Sequence, residues 1–470
     1  STRPTVGIHG STRAARDRTL AMHHVPAPES ELVFTARGRL LEPALEHYFC
    51  AALRAATHVG AGRSRGLGRI ELSVEFDAPA PVRPIAIDSD VVHLRLELTA
   101  PASLGVPLAD DNLRDTRREI PGAALRGAVG FALAEALGTE HSRDRPDSAF
   151  ERLVAEEGAR FSFFYPVDSP VRTSSPLDAA PLPITALACK FRCREHHLVD
   201  GLLDALAATD AACVASADRV AMSSLTSRCE RCGGPLRSVR GVRSHLSPVK
   251  TRTISRLAID RTRGSAKNEM LFTQVLLEPG TAFEGSIHHI PAEARERLAI
   301  ALQQPLSVGR GRASGWGQLR LSLLPPPEVT PLPERAGAFH RALGARLSRA
   351  GLHPDAAKRW IALTLLAPLI PADGDEDGSA EIARRLGADV GFKARRFTRE
   401  GGWDQRTHGM QPALAVAGGG VFAVRLAEGV ALSDILETLL TLERDGLGQR
   451  RHQGYGAIRC FDPFHCGPLP

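Results

Sequence analysis

Lysine is scarce in this chain. Of 59 basic residues only Lys190, Lys250, Lys267, Lys358 and Lys393 are lysine, so the cationic charge is almost all arginine. GC-rich coding enriches arginine, alanine, glycine and proline without any functional cause, which makes the placement of arginines more informative than their number. Long apolar runs are missing too. The two longest candidates, WIALTLLAPLI from Trp360 and ALAVAGGGVFAVRLAEGVAL from Ala413, are respectively too short and broken by Arg425 and Glu428. A membrane-spanning helix needs about 18 or more consecutive apolar residues. The opening STRPTVGIHG lacks the apolar core of a secretory signal. The expectation is therefore a cytoplasmic protein with no membrane partner and with reduced cysteines. Its 59 Lys+Arg stand against 53 Asp+Glu, a net charge of +6 with an isoelectric point near 9.0, and this modest excess suits a polyanion. At 470 residues, two to four domains are expected.

One arrangement common in glycine-rich proteins is also absent. Dinucleotide-binding and P-loop glycines follow a strand and open a helix, so that the helix N-terminus faces a phosphate. Here the order is reversed. Three times a helix-compatible stretch runs into a glycine and arginine loop and then into an alternating strand: GAGRSRGLG (60–68) before RIELSVEF, GRGRASGWG (309–317) before QLRLSLL, and GLGQRRHQGYG (446–456) before AIRCF. Glycine lets the backbone take positive φ and approach a ligand closely. Arg63, Arg65, Arg310, Arg312, Arg450 and Arg451 add planar forks that pair bidentately with phosphate, so a sugar-phosphate backbone is the natural partner. His452, between Arg451 and Gln453, reads as a base-stacking or phosphate contact. Trp316 and Tyr455 share a slot with Leu67, and a slot that accepts leucine is expected to pack against a sheet.

Four of eight cysteines fall close together: Cys189 and Cys193 in CKFRC, Cys229 and Cys232 in CERCGG. The CxxC followed by glycine is a knuckle that turns thiolates towards a shared tetrahedral zinc. The first pair is looser, and His196 or His197 is an alternative to Cys193. Four soft ligands leave no open position, so the zinc is structural. Cys50, Cys213, Cys460 and Cys466 have no partner at metal spacing.

The chain also repeats itself. TRAARDR (12–18) aligns with SRLAIDR (255–261), ELVFT with EMLFT, and the first glycine loop with the second, colinear over some seventy residues. Residues 1 to about 78 thus look like the second half of a unit whose complete copy runs from VVHLRLELTA to near Leu324. That copy enters IPGAALRGAVGFALAEAL, where Pro121 and Gly122 make the turn, Arg126 and Gly127 lie early on the helix, and Ala124, Leu125, Ala128, Val129, Ala132 and Leu133 give its apolar face. A strand, a helix, further strands, a second helix, a glycine loop and a last strand make a split βαβ plan.

The strings IPGAALRGAV, TISRLAIDRTRGSA, LFTQVLLEPGTAFEGSI and VGRGRASGWGQLRL resemble the repeat-associated mysterious protein (RAMP) superfamily of CRISPR effector subunits. Val91 to His465 is similar to the double-RAMP subunit of type III-D effectors, down to GGW at 401–403, AVAGGGVFAV and the closing GLGQRRHQGYGAIRCFDPFH. The resemblance implies an α+β chain of tandem ferredoxin-like (RRM-like) RAMP domains with glycine-rich loops and a zinc-binding insertion. Its boundaries are a partial RAMP unit at 1–82, a RAMP domain at 83–325 with the insertion at about 181–250, a proline-rich linker and helix at 326–354, and a second RAMP domain at 355–470. The partial unit would belong to a fusion or to a longer parent chain.

It further implies CRISPR RNA and target RNA as partners, with other RAMP subunits and a large polymerase-like subunit. Arg126, Gly127, Arg261 and Lys267 join the six loop arginines and His452 as RNA contacts. In DDNLRDTRREIPGAALRG, Asp111 sits where backbone-type RAMP subunits place an aspartate that cleaves target RNA with a divalent metal such as Mg²⁺. The leading expectation is a mainly structural RNA-binding subunit. An RNA endonuclease acting through Asp111 is second, and a zinc-ribbon interaction protein without RNA is third.

Overall fold

A computed structural model describes residues 2–5, 21–24, 33, 43–59, 68–76, 85–105, 113–137, 148–154, 158–168, 179–191, 198–212, 228–229, 231–243, 248–260, 265–404, 409–410 and 412–466. The chain divides into two compact units, Ser1–Val82 and Arg83–Pro470. In the smaller, β1 (Thr2–Thr5) pairs antiparallel with β2 (Ala21–His24), and helix α1 (Glu46–Ala55) follows a 3₁₀ turn. No residue of α1 is buried, and Tyr48 and Phe49 stand exposed. The strand expected over RIELSVEF does not form: Arg69 bridges His58, and residues 71–76 pair with nothing among the described residues. Without a neighbour, a strand leaves its backbone groups to water and has no reason to persist.

The larger unit is built on two main antiparallel sheets, with smaller sheets and ribbons beside them. In β3 (Val92–Leu98), the alternation of VHLRLEL turns Leu94, Leu96 and Leu98 inward; helix α2 (Gly122–Leu137) covers them with Leu125, Val129 and Leu133. Between them lies β4 (Leu113–Arg114), and after α2 come α3 (Ser148–Val154), β5 (Arg160–Phe161) and β6 (Tyr165–Val167). The region 181–250 contributes β7 (Ala186–Cys189), β8 (Val199–Asp200), α4 (Leu202–Ala212) and β9 (Leu236–Ser238). A long ribbon of β10 (Thr251–Asp260) and β11 (Ser265–Leu277) leads to β12 (Ala282–His288), α5 (Arg295–Leu302), β13 (Leu306–Ser307) and β14 (Gln318–Leu324). The sheet runs β13-β14-β3-β12-β5, so the unit is βαββαβ with its last strand beside its first, then the third, then the second. Arg95 and Glu284 face each other across β3 and β12, Nη1 to Oε1 2.9 Å, a buried pair on the face opposite the leucines.

Leu332–Arg349 forms helix α6, whose Leu332, Phe339, Leu343 and Leu347 enter a core shared with the second sheet. That sheet is made by β15 (Trp360–Leu365), α7 (Ser379–Leu386), β16 (Asp389–Ala394), and later β21 (Val421–Arg425), α8 (Leu432–Asp445) and β22 (Ile458–Cys460). Between β16 and β21 lie β17 (Phe397–Glu400), β18 (Trp403–Asp404), β19 (Gly409–Met410) and β20 (Ala413–Val416), with the β18-β19 pair nested inside the β17-β20 pair. The order β22-β15-β21-β16 repeats that of the first sheet. All six residues of β15 are buried, as expected of a strand with a neighbour on each side and a helix layer over it.

The 181–250 region is docked on the second sheet. Leu202, Leu203 and Leu206 of α4 join its core. Arg243 grips Asp462 with two bonds of 2.7 Å, and His465 links Asp200 at 2.6 Å to Thr364 at 2.7 Å. Two arginines, Arg243 first, hold the Asp462 carboxyl far below the usual carboxylate range although burial pushes the other way. Among the described residues, no helix is long and apolar enough to cross a membrane.

Candidate nucleic-acid interface

The three glycine loops close alike. In each, a residue nine positions before the last glycine donates its N–H to that glycine's carbonyl: Val59 to Gly68 at 2.8 Å, Val308 to Gly317 at 2.9 Å, Leu447 to Gly456 at 2.9 Å. The three glycines have φ of +73°, +72° and +73°, a region costly for any residue with a Cβ. The second and third loops hang from equivalent places in their sheets. Arg310 N–H donates to Ser103 and Gly317 N–H to Pro101, just past β3; Gln449 N–H donates to Ile370 and Gly456 N–H to Pro368, just past β15. Because backbone groups fix these loops, their arginine side chains are not needed to hold them.

Arg312, on the 3₁₀ turn Arg312–Ser314, is exposed, and its guanidinium lies 4.8 Å from the Phe131 ring centre. Phe131 is 50% exposed on α2, one turn after Gly127, where a Cβ would meet nothing within 4 Å. Arg256 of β10 covers the Trp316 ring at 4.2 Å, and the ring sits so close to Gly311 that a Cβ there would stand 2.5 Å from it. Loop, helix and ribbon thus converge on one open face that carries two arginine-covered aromatic rings. Phe131 and Arg256 were not legible as members: their only signal was one aromatic on the polar side of an apolar helix and one arginine in an alternating strand.

The remaining candidates are placed differently. Arg126 donates to the Val154 carbonyl, closing the end of α3, and so serves the fold. His452 is buried, its Nε2 3.1 Å from Gln453 Nε2, and Arg451 Nη1 donates to the Asp445 carbonyl at 3.4 Å. Arg450 holds φ +55° at the start of the turn. Lys267 falls on β11. Arg63, Arg65, Asp111, Cys193, His196, His197 and Arg261 lie outside the described residues. Trp316 and Tyr455 both pack, as their shared slot suggests, but unequally: Trp316 is half-buried, whereas Tyr455 is buried edge-on to Phe163 at 5.2 Å and donates to Glu400 Oε2 at 3.2 Å.

That Glu400 belongs to a buried cluster between the two sheets. Arg117, three residues before the IPG turn, bonds it at 2.6 Å (Nη2 to Oε2) and 3.3 Å (Nη1 to Oε1), and also bonds Glu119 at 3.2 Å. Burial pulls the Glu400 carboxyl upward, offset by Arg117 and its hydrogen bond; burial and then Glu400 lift the Tyr455 hydroxyl far above its ordinary value. Acidic residues buttress the third loop from its other side: Glu381 Oε2 accepts from Gly448 N–H and Asp373 Oδ1 accepts from Gln449 Nε2, both at 2.9 Å.

The thiols of Cys189, Cys229 and Cys232 lie within 4.8 Å of one another, with Cys189 and Cys232 3.5 Å apart. Sulfurs about 2.3 Å from a common zinc stand roughly 3.8 Å apart, so the three fit one tetrahedral ion. The knuckle is formed by backbone bonds: Cys229 N–H to Gly234 at 2.7 Å and Gly233 N–H to Cys229 at 2.8 Å, with Gly233 at φ +67°. Pairing of β7 with β9 brings Cys189 alongside.

No family model and no curated protein matches the chain. In solved structures, it is similar to a chain of type III-B Cmr-beta bound to cognate target RNA, with TM-score 0.36 and 10% identity over 70% of this chain and 86% of that one. A second such structure, with AMPPnP, gives 0.35 and 9% over the same shares. Type III-B Cmr-beta in the apo state gives 0.28 and 11% over 50% of this chain and 97% of the other. Likenesses this weak leave the function to be argued from the chain's own residues.

Proposed function

We propose that the chain is a CRISPR RNA-binding subunit of a type III, III-D-like, RNA-guided effector complex, built from tandem ferredoxin-like RAMP domains and assembling with other RAMP subunits. Supporting it are the motif resemblance and two βαββαβ sheets with the same strand order. The observation that carries it is the common closure of three glycine loops, two of which place arginines at equivalent points of their sheets. Loops fixed by their own backbone, with forked cations and partly open aromatic rings beside them, suit a strand that offers both phosphates and bases.

The test is binding of single-stranded RNA to the purified full chain. Arg312→Ala and Arg450→Ala should each weaken it by roughly 1–2 kcal/mol, the scale of a lost charge-assisted bond. Affinity should fall steeply with salt, since each phosphate bound by a cation releases counterions. Parent-like affinity in both single variants and in the double, at moderate salt, would show that the loops are not the grip.

Cys189, Cys229 and Cys232, completed by Cys193 or His196, would hold one structural zinc, which ties the knuckle to β7 and supplies no catalysis. Protein prepared without chelators should carry about one equivalent of zinc, and stripping it should raise amide exchange locally in β7 and β9 while the rest stays protected. Less than about half an equivalent counts against the site.

A further inference from the structure

Away from the Arg312 face, a second group of cations meets at the C-terminal end of α8, in the seam between the two sheets. Arg160 of β5 donates Nη1 to the carbonyls of Asp445 at 2.9 Å and Arg444 at 3.3 Å; Arg451 of the third loop donates Nη1 to the same Asp445 carbonyl at 3.4 Å. No other nitrogen of either guanidinium has a partner among the described residues. His289 Nε2 lies 3.2 Å from the Arg444 carbonyl. Among the described residues, the Asp445 carboxylate is paired with two of the three arginines, its Oδ1 3.3 Å from Arg444 Nε and 3.7 Å from Arg160 Nη1.

A helix end is satisfied by one nearby cation. Here guanidiniums from β5 of the first sheet and from the loop before β22 of the second share one carbonyl, a crowding whose repulsion a bound anion would relieve. Burial and then Arg451 depress Arg160, and burial, His93, His289 and Arg160 push His288 down to about 4, so His288 is neutral near pH 7. Asp90 acts the other way on His288 and is the weakest of these influences. Two of the three left-handed non-glycine residues among those described, His289 at φ +54° and Arg450 at φ +55°, flank the group. Strain of this kind survives where surroundings enforce it, typically at ligand clamps.

We infer that Arg160, Arg444 and Arg451 form a composite subsite for one internucleotide phosphate of single-stranded RNA, complete only when both sheets are docked. This rests on the RNA-binding reading and adds to it a phosphate position outside the glycine loops' open face. The uncommitted edges of Arg160 and Arg451 supply the forks, and the neutral His288 nearby contributes no charge. The phosphate would take the position that balances the excess of cations.

The experiment titrates fluorescently labelled single-stranded RNA into the full chain. Arg160→Gln and Arg451→Gln should each cost about tenfold in affinity. The double variant should flatten the salt dependence by about 0.7 in logarithmic slope for each phosphate that no longer meets a cation. An equal loss of charge at the exposed Arg349 and Arg384, as R349Q/R384Q, should change affinity by less than about threefold. In the parent, phenylglyoxal labelling of Arg160 and Arg451, read by mass spectrometry, should slow when RNA is bound. If R160Q/R451Q binds like the parent while Arg312→Ala does not, the subsite is wrong and the loop reading stands; if the parent binds no RNA, both fall. A lowered unfolding midpoint with unchanged affinity would make these arginines helix caps only. Should the double variant not fold, absent protection in the parent overturns the subsite by itself.

Discussion

Arg117→Ala will destabilise the 83–470 unit by about 3–5 kcal/mol, the range measured when one member of a buried ion pair is removed. The magnitude follows from what is left behind. The Glu400 side chain is 2% exposed, and Arg117 is its bidentate partner. With Arg117 gone, Glu400 loses its bidentate cation; Tyr455 can still donate one hydrogen bond, and Glu119 repels the charge. Glu400→Gln in the Arg117→Ala background should recover part of the loss, because a neutral amide is cheaper to bury than an orphaned carboxylate. Arg117→Lys should fall between, since an ammonium lacks the fork that spans both carboxylate oxygens. Denaturant unfolding of all four proteins measures this, and a loss below about 1 kcal/mol in Arg117→Ala would place the pair in water instead.

The same pair shows where sequence reading stopped. Arg117 and Glu400 are 283 positions apart, and neither has a local pattern that names the other. Arg160 and Asp445 are equally remote, so the seam between the sheets was invisible as a place. Local rules fared better. The apolar face expected of IPGAALRGAVGFALAEAL is the buried face of α2, because periodicity and the Pro-Gly turn act within a few residues. The CxxC knuckle was legible because its backbone bonds span only five residues. RIELSVEF shows the opposite limit: its alternation promised a strand, but a strand is a property of a pair. After the proline-rich joint, the helix expected within 326–354 forms over LPERAGAFHRALGARLSR; that its stripe fills the core of the second sheet is a long-range fact that no local pattern named.

Gly317→Ala should cost roughly 2–4 kcal/mol, the sum of about 1–2 for a left-handed residue with a Cβ and about 1–2 for the closing hydrogen bond it displaces. The clash is specific. A Cβ on Gly317 would stand 1.9 Å from the Val308 carbonyl oxygen that lies under it, and backbone cannot swing aside as a side chain does. Gly315 supplies the control inside the same loop: its φ is +75°, yet its nearest neighbour would be the tip of Gln318 at 3.9 Å. Gly315→Ala therefore carries the left-handed strain alone, and the difference between the two variants isolates the clash with the carbonyl. Gly456→Ala repeats the experiment in the third loop, where an added Cβ would stand 1.8 Å from the Leu447 oxygen, and there the effect should be larger because the loop is tightly seated: a Cβ on nearby Gly454 would stand 2.4 Å from the Phe161 carbonyl oxygen. Shifting that loop would disturb the seam as well as the loop. Thermal midpoints of the three variants decide it. Equal losses for Gly315→Ala and Gly317→Ala would mean that positive φ is the whole reason for glycine there; a larger loss for Gly317→Ala and Gly456→Ala, accompanied by weaker RNA binding, would tie the common closure of the loops to the function proposed for them.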